Sequence, residues 1–293
     1  MEDRIITYGG QAVIEGVLMR GRAAMAIAMR APDGSIATHS EPLAAVYRSR
    51  ISRLPFLRGM ILLWDALGLG MHALTISANT QTGEDEKLEG PALYLTLAVS
   101  IVFALGLFFA APALVGWFFE QTLGWGVYGG AFMEGLLRLG LLVGYIWLIG
   151  FLPDVRRLFG YHGAEHKTIN AFEAGAELTP ENVAGFSLEH PRCGTAFLLT
   201  LVVFSIIFFS LLGPLPIGMR LLSRILFIPV LAGVAVEYIR WTANHLDSRI
   251  VRLLIKPNLA LQHLTTREPD RAMLEVAITS FETMRKAELE FAP

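Results

Sequence analysis

The chain has 293 residues, 54% of them hydrophobic and 17% charged, with a net charge of −2 and a mean hydropathy of +0.51. Soluble domains carry roughly 25% charged residues, so this is the composition of a membrane protein, and the near-neutral balance gives no case for nucleic acid as a partner. The single cysteine, Cys193, excludes an intrachain disulfide, and Met1-Glu-Asp-Arg-Ile-Ile lacks the basic region and apolar core of a cleaved signal peptide.

Residues 1–56 read as a mixed β segment. Met25 to Arg30, then Pro32-Asp-Gly34, then Ser35 to Ser40 has the pattern strand, turn, strand, because proline presets one turn dihedral and glycine relieves the other. The stretch before it, Gly10-Gln-Ala-Val-Ile-Glu15-Gly16-Val-Leu-Met-Arg20-Gly21, is punctuated by glycines that permit sharp turns or close backbone approach. It either serves turn geometry alone or brings Gln11, Glu15 and Arg20 near a site. It lacks the Gly-Lys-Ser/Thr ending of a phosphate-binding loop.

Residues 57–90 combine an apolar helix with an acidic linker, Glu84-Asp-Glu86-Lys-Leu-Glu89. Arg58, Asp65, His72 and Asn79 recur every seventh residue, which puts them on one helical face. The helix is then interfacial with a wet stripe, or re-entrant with the stripe lining a polar cavity.

Residues 91–152 hold the first two predicted spans. Leu93 to Phe119 contains no charge and exceeds the roughly 20 apolar residues that a bilayer core requires. Pro112 is the place for a bend. The second span, Ala131 to Leu152, carries Glu134 and Arg138, spaced so that they can pair. Residues 153–192 form a loop and helix between spans. Residues 193–240 hold spans three and four: Cys193 to Met219, uncharged, and a weaker segment from Arg224 to Glu237. The latter crosses only if Arg224 snorkels outward and Glu237 faces the protein. All Lys and Arg except Arg138, Arg220 and Arg224 fall before span one, between spans two and three, or after span four. The positive-inside rule therefore assigns both termini and the 153–192 loop to the cytoplasm. Residues 241–293 are a cytoplasmic helical tail, with Leu274, Ile278, Phe281 and Met284 as its apolar stripe. The predicted class is a mainly α-helical integral membrane protein: about four transmembrane helices, one interfacial or re-entrant helix, and a small mixed α+β cytoplasmic portion.

The chemistry concentrates at His162-Gly-Ala-Glu165-His166-Lys167. Positions i and i+4 share a helical face, so both imidazoles can meet one ion. The order H-x-x-E-H is the inverted zinc-peptidase signature, with two zinc ligands and a glutamate general base. A helix over 154–174, stopped at Gly175, places His162, His166 and Glu173 together with Asn170 close by. Two imidazoles suit a divalent metal, zinc foremost, and a catalytic zinc takes a third protein ligand and an open water position. Glu165 would then be the catalytic residue that accepts the water's proton. Glu237 is the favoured third ligand, since an ionisable residue inside a span marks a functional site. His190 and Cys193, in His190-Pro-Arg-Cys193-Gly, compete with it and would close a four-ligand structural site. His245 is a weaker candidate, and His39 and His263 read as surface residues.

The combination of Gly10–Gly21, Tyr161–Lys167, His190-Pro-Arg-Cys193-Gly-Thr195 and Leu264-Thr-Thr-Arg267-Glu-Pro269 resembles the YqhQ-like family of bacterial multi-pass membrane proteins over nearly the whole chain. The resemblance implies a protein of the bacterial cytoplasmic membrane and a metal-dependent enzyme, with no substrate specified.

Two functional readings follow. In one, the chain is a zinc-dependent hydrolase at the cytoplasmic membrane face, acting on a membrane-embedded peptide or a lipid. In the other it is a non-enzymatic membrane factor. A metal then staples the 153–195 loop, and a translocon or ribosome-associated partner binds Gly10–Gly21 and Arg267–Glu290. Three protein ligands with Glu165 free favour the first; four protein ligands favour the second.

Overall fold

The computed structural model describes residues 8–44, 54–82, 91–213 and 215–291. The predicted acidic linker at 84–89 lies outside these. Four strands form an antiparallel meander: β1 Gly9–Val13, β2 Gly16–Arg20, β3 Ala24–Arg30 and β4 Ile36–Pro42. The β3–β4 turn is built as its sequence demands. Asp33 accepts the Ser35 amide at 2.9 Å, and Gly34 takes φ +85°, a left-handed value that side chains disfavour.

Alternation along the strands gives the sheet two buried faces. Val13, Leu18, Met25, Ile27 and Met29 point to one side. There they meet the second half of helix α1, Leu57–Thr82, through Ala73, Leu69, Leu74 and Ile76. Val17, Met19, Ala26 and Ala28 point to the other side. They are covered by α5, Pro153–Glu173, and α11, Arg271–Phe291. Leu274, Ile278, Phe281 and Met284 of α11 are buried there, the stripe read from the sequence. The small alanines of β3 let α11 come close enough for the Ser280 hydroxyl to donate to the Val17 carbonyl at 2.8 Å.

Among the described residues, three apolar helices are long enough to cross a membrane. They are Tyr94–Thr122, Gly126–Ile149 and Gly194–Leu211. The first comprises α2 Pro91–Leu105, a π-helical turn Gly106–Ala110, and α3 Ala111–Thr122; the others are α4 and α7. A fourth crossing would be a bent pair, α8 Ile217–Leu226 and α9 Ile228–Ala243, meeting at 44°. Pro229 in the first turn of α9 and the Gly213–Pro216 break before α8 explain its irregularity. The expected span Cys193–Met219 therefore ends earlier, at Leu211. Between α5 and α7 lies the short α6, Pro180–Ala184, and after α9 comes α10, Arg249–Thr265.

The charges within the apolar helices pair with one another. Glu134 accepts from Arg138 at 2.8 Å and takes both prongs of Arg224 at 2.8 and 2.7 Å. Arg224 is thus buried against α4, which corrects the expectation that it snorkels outward. The π turn has a cause in the sequence. Pro112 has no N–H to give the Phe108 carbonyl, and Arg138 Nε donates to that carbonyl instead, at 3.1 Å. Glu120 pairs with Arg220 at 2.6 Å.

The α1 helix is not one of the candidate crossings among the described residues. Two members of its polar stripe point to different partners. Arg58 grips Glu237 of α9, whereas His72 reaches Glu41 of β4 at 3.2 Å. Where α1 meets α9 a Cβ on Gly59 would come within 2.7 Å of the Gly233 Cα, a close approach that two glycines permit.

Candidate metal centre

Helix α5 follows α4 almost directly, so it stands at the end of the bundle where α4 finishes and α7 begins. Pro153 starts it in the first turn. Gly175, at φ +73°, ends it, with the Ala176 amide bonded back to the Ala171 carbonyl. The inner face of α5 organises the following loop through that loop's main chain. Lys167 donates to the Ala184 carbonyl at 2.6 Å, and Asn170 donates to Ser187 and Glu189 at 2.9 and 3.0 Å. His166 Nδ1 donates to the Leu188 carbonyl. Gln262 of α10 clamps the loop from the other side, exchanging two 2.9 Å hydrogen bonds with the His190 backbone.

These bonds fix the histidine tautomers. His162 Nδ1 lies 2.9 Å from the Thr265 carbonyl. A carbonyl only accepts, so Nδ1 carries the proton on both rings and each neutral ring's Nε2 presents a lone pair. The rings stand 4.4 Å apart, centroid to centroid. His162 Nε2 is 3.2 Å from Cys193 Sγ. The donor atoms of His162, His166 and Cys193 all lie within 4.8 Å of one another. His166 Nε2 is buried and, among the described residues, has no hydrogen-bond partner. Around one tetrahedral zinc, such atoms stand on the order of 3.5 Å apart, given bonds of about 2.0–2.3 Å. Backbone carbonyls orienting the far nitrogens are the usual supporting shell of metal-bound histidines. The residues present therefore fit a metal ion.

Cys193 precedes α7 as its N-cap, with Sγ accepting from the Thr195 amide at 3.5 Å. His190 is buried and stands one step outside the cluster, its ring 5.6 Å from that of His166. Burial, with Arg192 beside it, holds its pKa well below the usual histidine value, so it is neutral. Glu173 faces Arg192.

Glu165 sits at the edge of the cluster, 5% exposed, with Oε2 4.0 Å from His162 Nε2. Burial pushes its carboxyl up to about 7, against the pull of His162 and of the Gly10 amide that bonds to it. The glycine-rich strand β1 thus does contribute to this site, through Gly10. A Cβ on Gly10 would lie 2.8 Å from Glu165 Cγ and 2.6 Å from the Leu18 carbonyl. Gly10→Ala should therefore cost about 1–3 kcal/mol of stability by overpacking, read from thermal unfolding of the purified chain. A change under about 0.5 kcal/mol, the usual size of a neutral surface substitution, would refute this tight contact.

Glu15 lies on the same side. It occupies the β1–β2 turn at φ +53°, a strained value for a non-glycine residue. Its carboxylate is held by Arg157 of α5 at 2.6 Å and by the Tyr161 hydroxyl at 3.1 Å, which ties the turn to the histidine helix.

Glu237, the favoured third ligand from the sequence, is elsewhere. It accepts from Arg58 and from the Phe56 amide at the α1–α9 crossing and does not belong to the His162 cluster. His245 is exposed and bonds the Trp241 carbonyl at 2.7 Å. His263 pairs with Glu189 at 2.9 Å. A second gathering, His39, Glu41 and His72, is largely solvent-exposed and forms an ion-pair chain. Sequence reasoning missed the carbonyls of Leu188 and Thr265, which carry no side-chain signal, and Gln262, a polar residue on the protein-facing side of an amphipathic helix.

The comparisons with known proteins agree with this extent of chain. Residues 54–287 match a family described as "Protein of unknown function (DUF1385)". A Bacillus subtilis protein, "Uncharacterized protein YqhQ", is 35% identical over 296 aligned residues, covering 96% of this chain and 93% of its own. No solved structure matches.

Proposed function

The chain belongs to the DUF1385 family, and from that premise we propose that it is a metal-dependent hydrolase of the cytoplasmic membrane face. In this reading His162, His166 and Cys193 hold a divalent ion, zinc, and Glu165 moves the proton. The observation that carries it is the convergence of the His162 and His166 Nε2 atoms on Cys193 Sγ, with the buried His166 Nε2 otherwise unpartnered among the described residues. The third ligand is then Cys193 in place of Glu237.

A bound zinc would supply an activated water at neutral pH. The chain's own groups do the rest. Leu188 and Thr265 hold the imidazoles in the Nδ1–H form. Glu165 Oε2 stands 4.0 Å from His162 Nε2, where it can take a proton and pass it to a leaving group. The Lys/Arg distribution supports a cytoplasmic location for the sheet and the centre.

The structural-staple reading needs His190 as a fourth ligand. Its ring instead has Arg192 and Glu173 for neighbours, at 3.4 and 4.0 Å, which favours an open site. X-ray absorption on the zinc-loaded protein separates the two by the outer-shell scattering of imidazole: one sulfur with two imidazoles for the open site, one sulfur with three for the staple. Glu165→Gln should keep metal content unchanged and lower turnover by roughly 10²–10⁴-fold, since an amide cannot accept the proton. Loss of zinc in that variant would instead make Glu165 a ligand.

A further inference from the structure

We infer that α10, together with the loop beside His190, binds the headgroup of an anionic phospholipid. The inference deepens the proposed hydrolase and rests on it for the idea that this lipid class is the substrate. Helix α10 has three distinct faces. Val251, Ile255, Asn258, Leu261, Gln262 and Thr265 are buried against the protein. Leu261 packs with Leu142, Ile146 and Leu199 of the spanning helices, and Asn258 bonds Thr200 at 3.2 Å. The helix therefore lies along the ends of α4 and α7.

The second face is apolar and uncovered. Ile250, Leu253 and Leu254 are 71, 64 and 46% exposed, and with Pro257 they fall within an arc of about 100°. The third face carries Arg249, Arg252, Lys256 and His263. A helix whose apolar stripe borders a basic stripe, beside transmembrane segments, is built for the boundary between acyl chains and headgroups.

The basic face also forms one wall of a groove of about 580 Å³. Its opposite wall is Ser187, Glu189 and Pro191, in the loop that supplies Leu188 and His190 to the metal centre. Glu189 is paired with His263. Arg252 and Lys256 have no carboxylate partner among the described residues. Two unneutralised cations, bordered by apolar side chains that face the bilayer, complement a lipid phosphate whose acyl chains lie along Ile250, Leu253 and Leu254. A water-soluble anion would leave that apolar stripe uncovered.

The test uses the purified full-length chain, zinc-loaded, equilibrated with an equimolar mixture of phosphatidylglycerol and phosphatidylcholine. Co-bound lipid is then counted by mass spectrometry. Wild type should enrich phosphatidylglycerol, by about fivefold for each basic residue engaged. Arg252→Gln with Lys256→Gln should bring the ratio close to one and leave zinc unchanged. Arg285→Gln with Lys286→Gln, on α11 away from the groove, should leave the ratio as in wild type. Enrichment that survives the first pair of substitutions overturns the inference, as does full displacement of the lipid by millimolar inorganic phosphate. His162→Ala separates the two claims. Lipid enrichment without zinc in any form of the protein rejects the metal centre alone. Zinc bound as proposed, without enrichment dependent on Arg252 and Lys256, rejects the headgroup site alone.

Discussion

His162→Ala, His166→Ala and Cys193→Ser are each expected to weaken zinc binding by at least about 100-fold. Loss of a supporting outer-shell group already costs roughly 10–100-fold, and each of these variants removes a ligand itself. The three donor atoms lie within 4.8 Å of one another. Elemental analysis, followed by competition with a chelator of known affinity, measures the effect. His190→Ala and Glu237→Gln should keep one equivalent of metal. Glu237→Gln should act instead on the α1–α9 crossing, because its carboxylate is held by Arg58. The pattern is sharp enough to fail. A Glu237→Gln protein without metal, beside a Cys193→Ser protein with full metal, would restore the ligand set read from spacing and discard the one described here.

Glu134→Ala should destabilise the bundle by about 3–5 kcal/mol, the cost of leaving buried charge unpaired. The side chain of Glu134 is 2% exposed, and it is the shared acceptor for Arg138 and Arg224. Its removal strands two guanidinium groups among apolar helices. Arg138 retains Phe108 O and Ser205 Oγ. Arg224 retains the Ser223 hydroxyl, at 3.1 Å, and the face of the Phe209 ring. The larger disturbance should therefore fall on α8. Reversible unfolding in mixed micelles gives the free energy, and protease accessibility of the 213–227 segment reports where the loosening occurs. A loss below about 1 kcal/mol would mean that the charges are satisfied by water.

The histidine pair was legible because a four-residue spacing on a helix is a local matter. So were the β3–β4 turn, with its Pro-Asp-Gly, and the α11 stripe, whose period is set by the same geometry. The choice between Glu237 and Cys193 was not legible. It depends on Arg58, 179 positions away in sequence, reaching Glu237 across a glycine crossing. The fate of Arg224 is similar: whether a cation near a helix end snorkels or turns inward depends on the carboxylate that faces it, here on another helix. The π turn could be anticipated only in part. Pro112 announces a missing donor, but the Arg138 side chain that answers it belongs to α4. Gly10 was visible as a glycine that permits close approach, yet nothing in the local sequence names Glu165 as what approaches.

The strands, within residues 9–42, and α11, which covers one face of the sheet from residues 271–291, lie far apart in sequence. At about 5–20 residues per second of synthesis, on the order of ten to fifty seconds separate the emergence of β3 from that of α11. All the apolar helices emerge in that interval. Throughout it, the face bearing Val17, Met19, Ala26 and Ala28 lacks its final helix, and Thr265 has yet to reach His162. The cover of that sheet face and the bond that orients His162 thus both wait on chain made long after the strands.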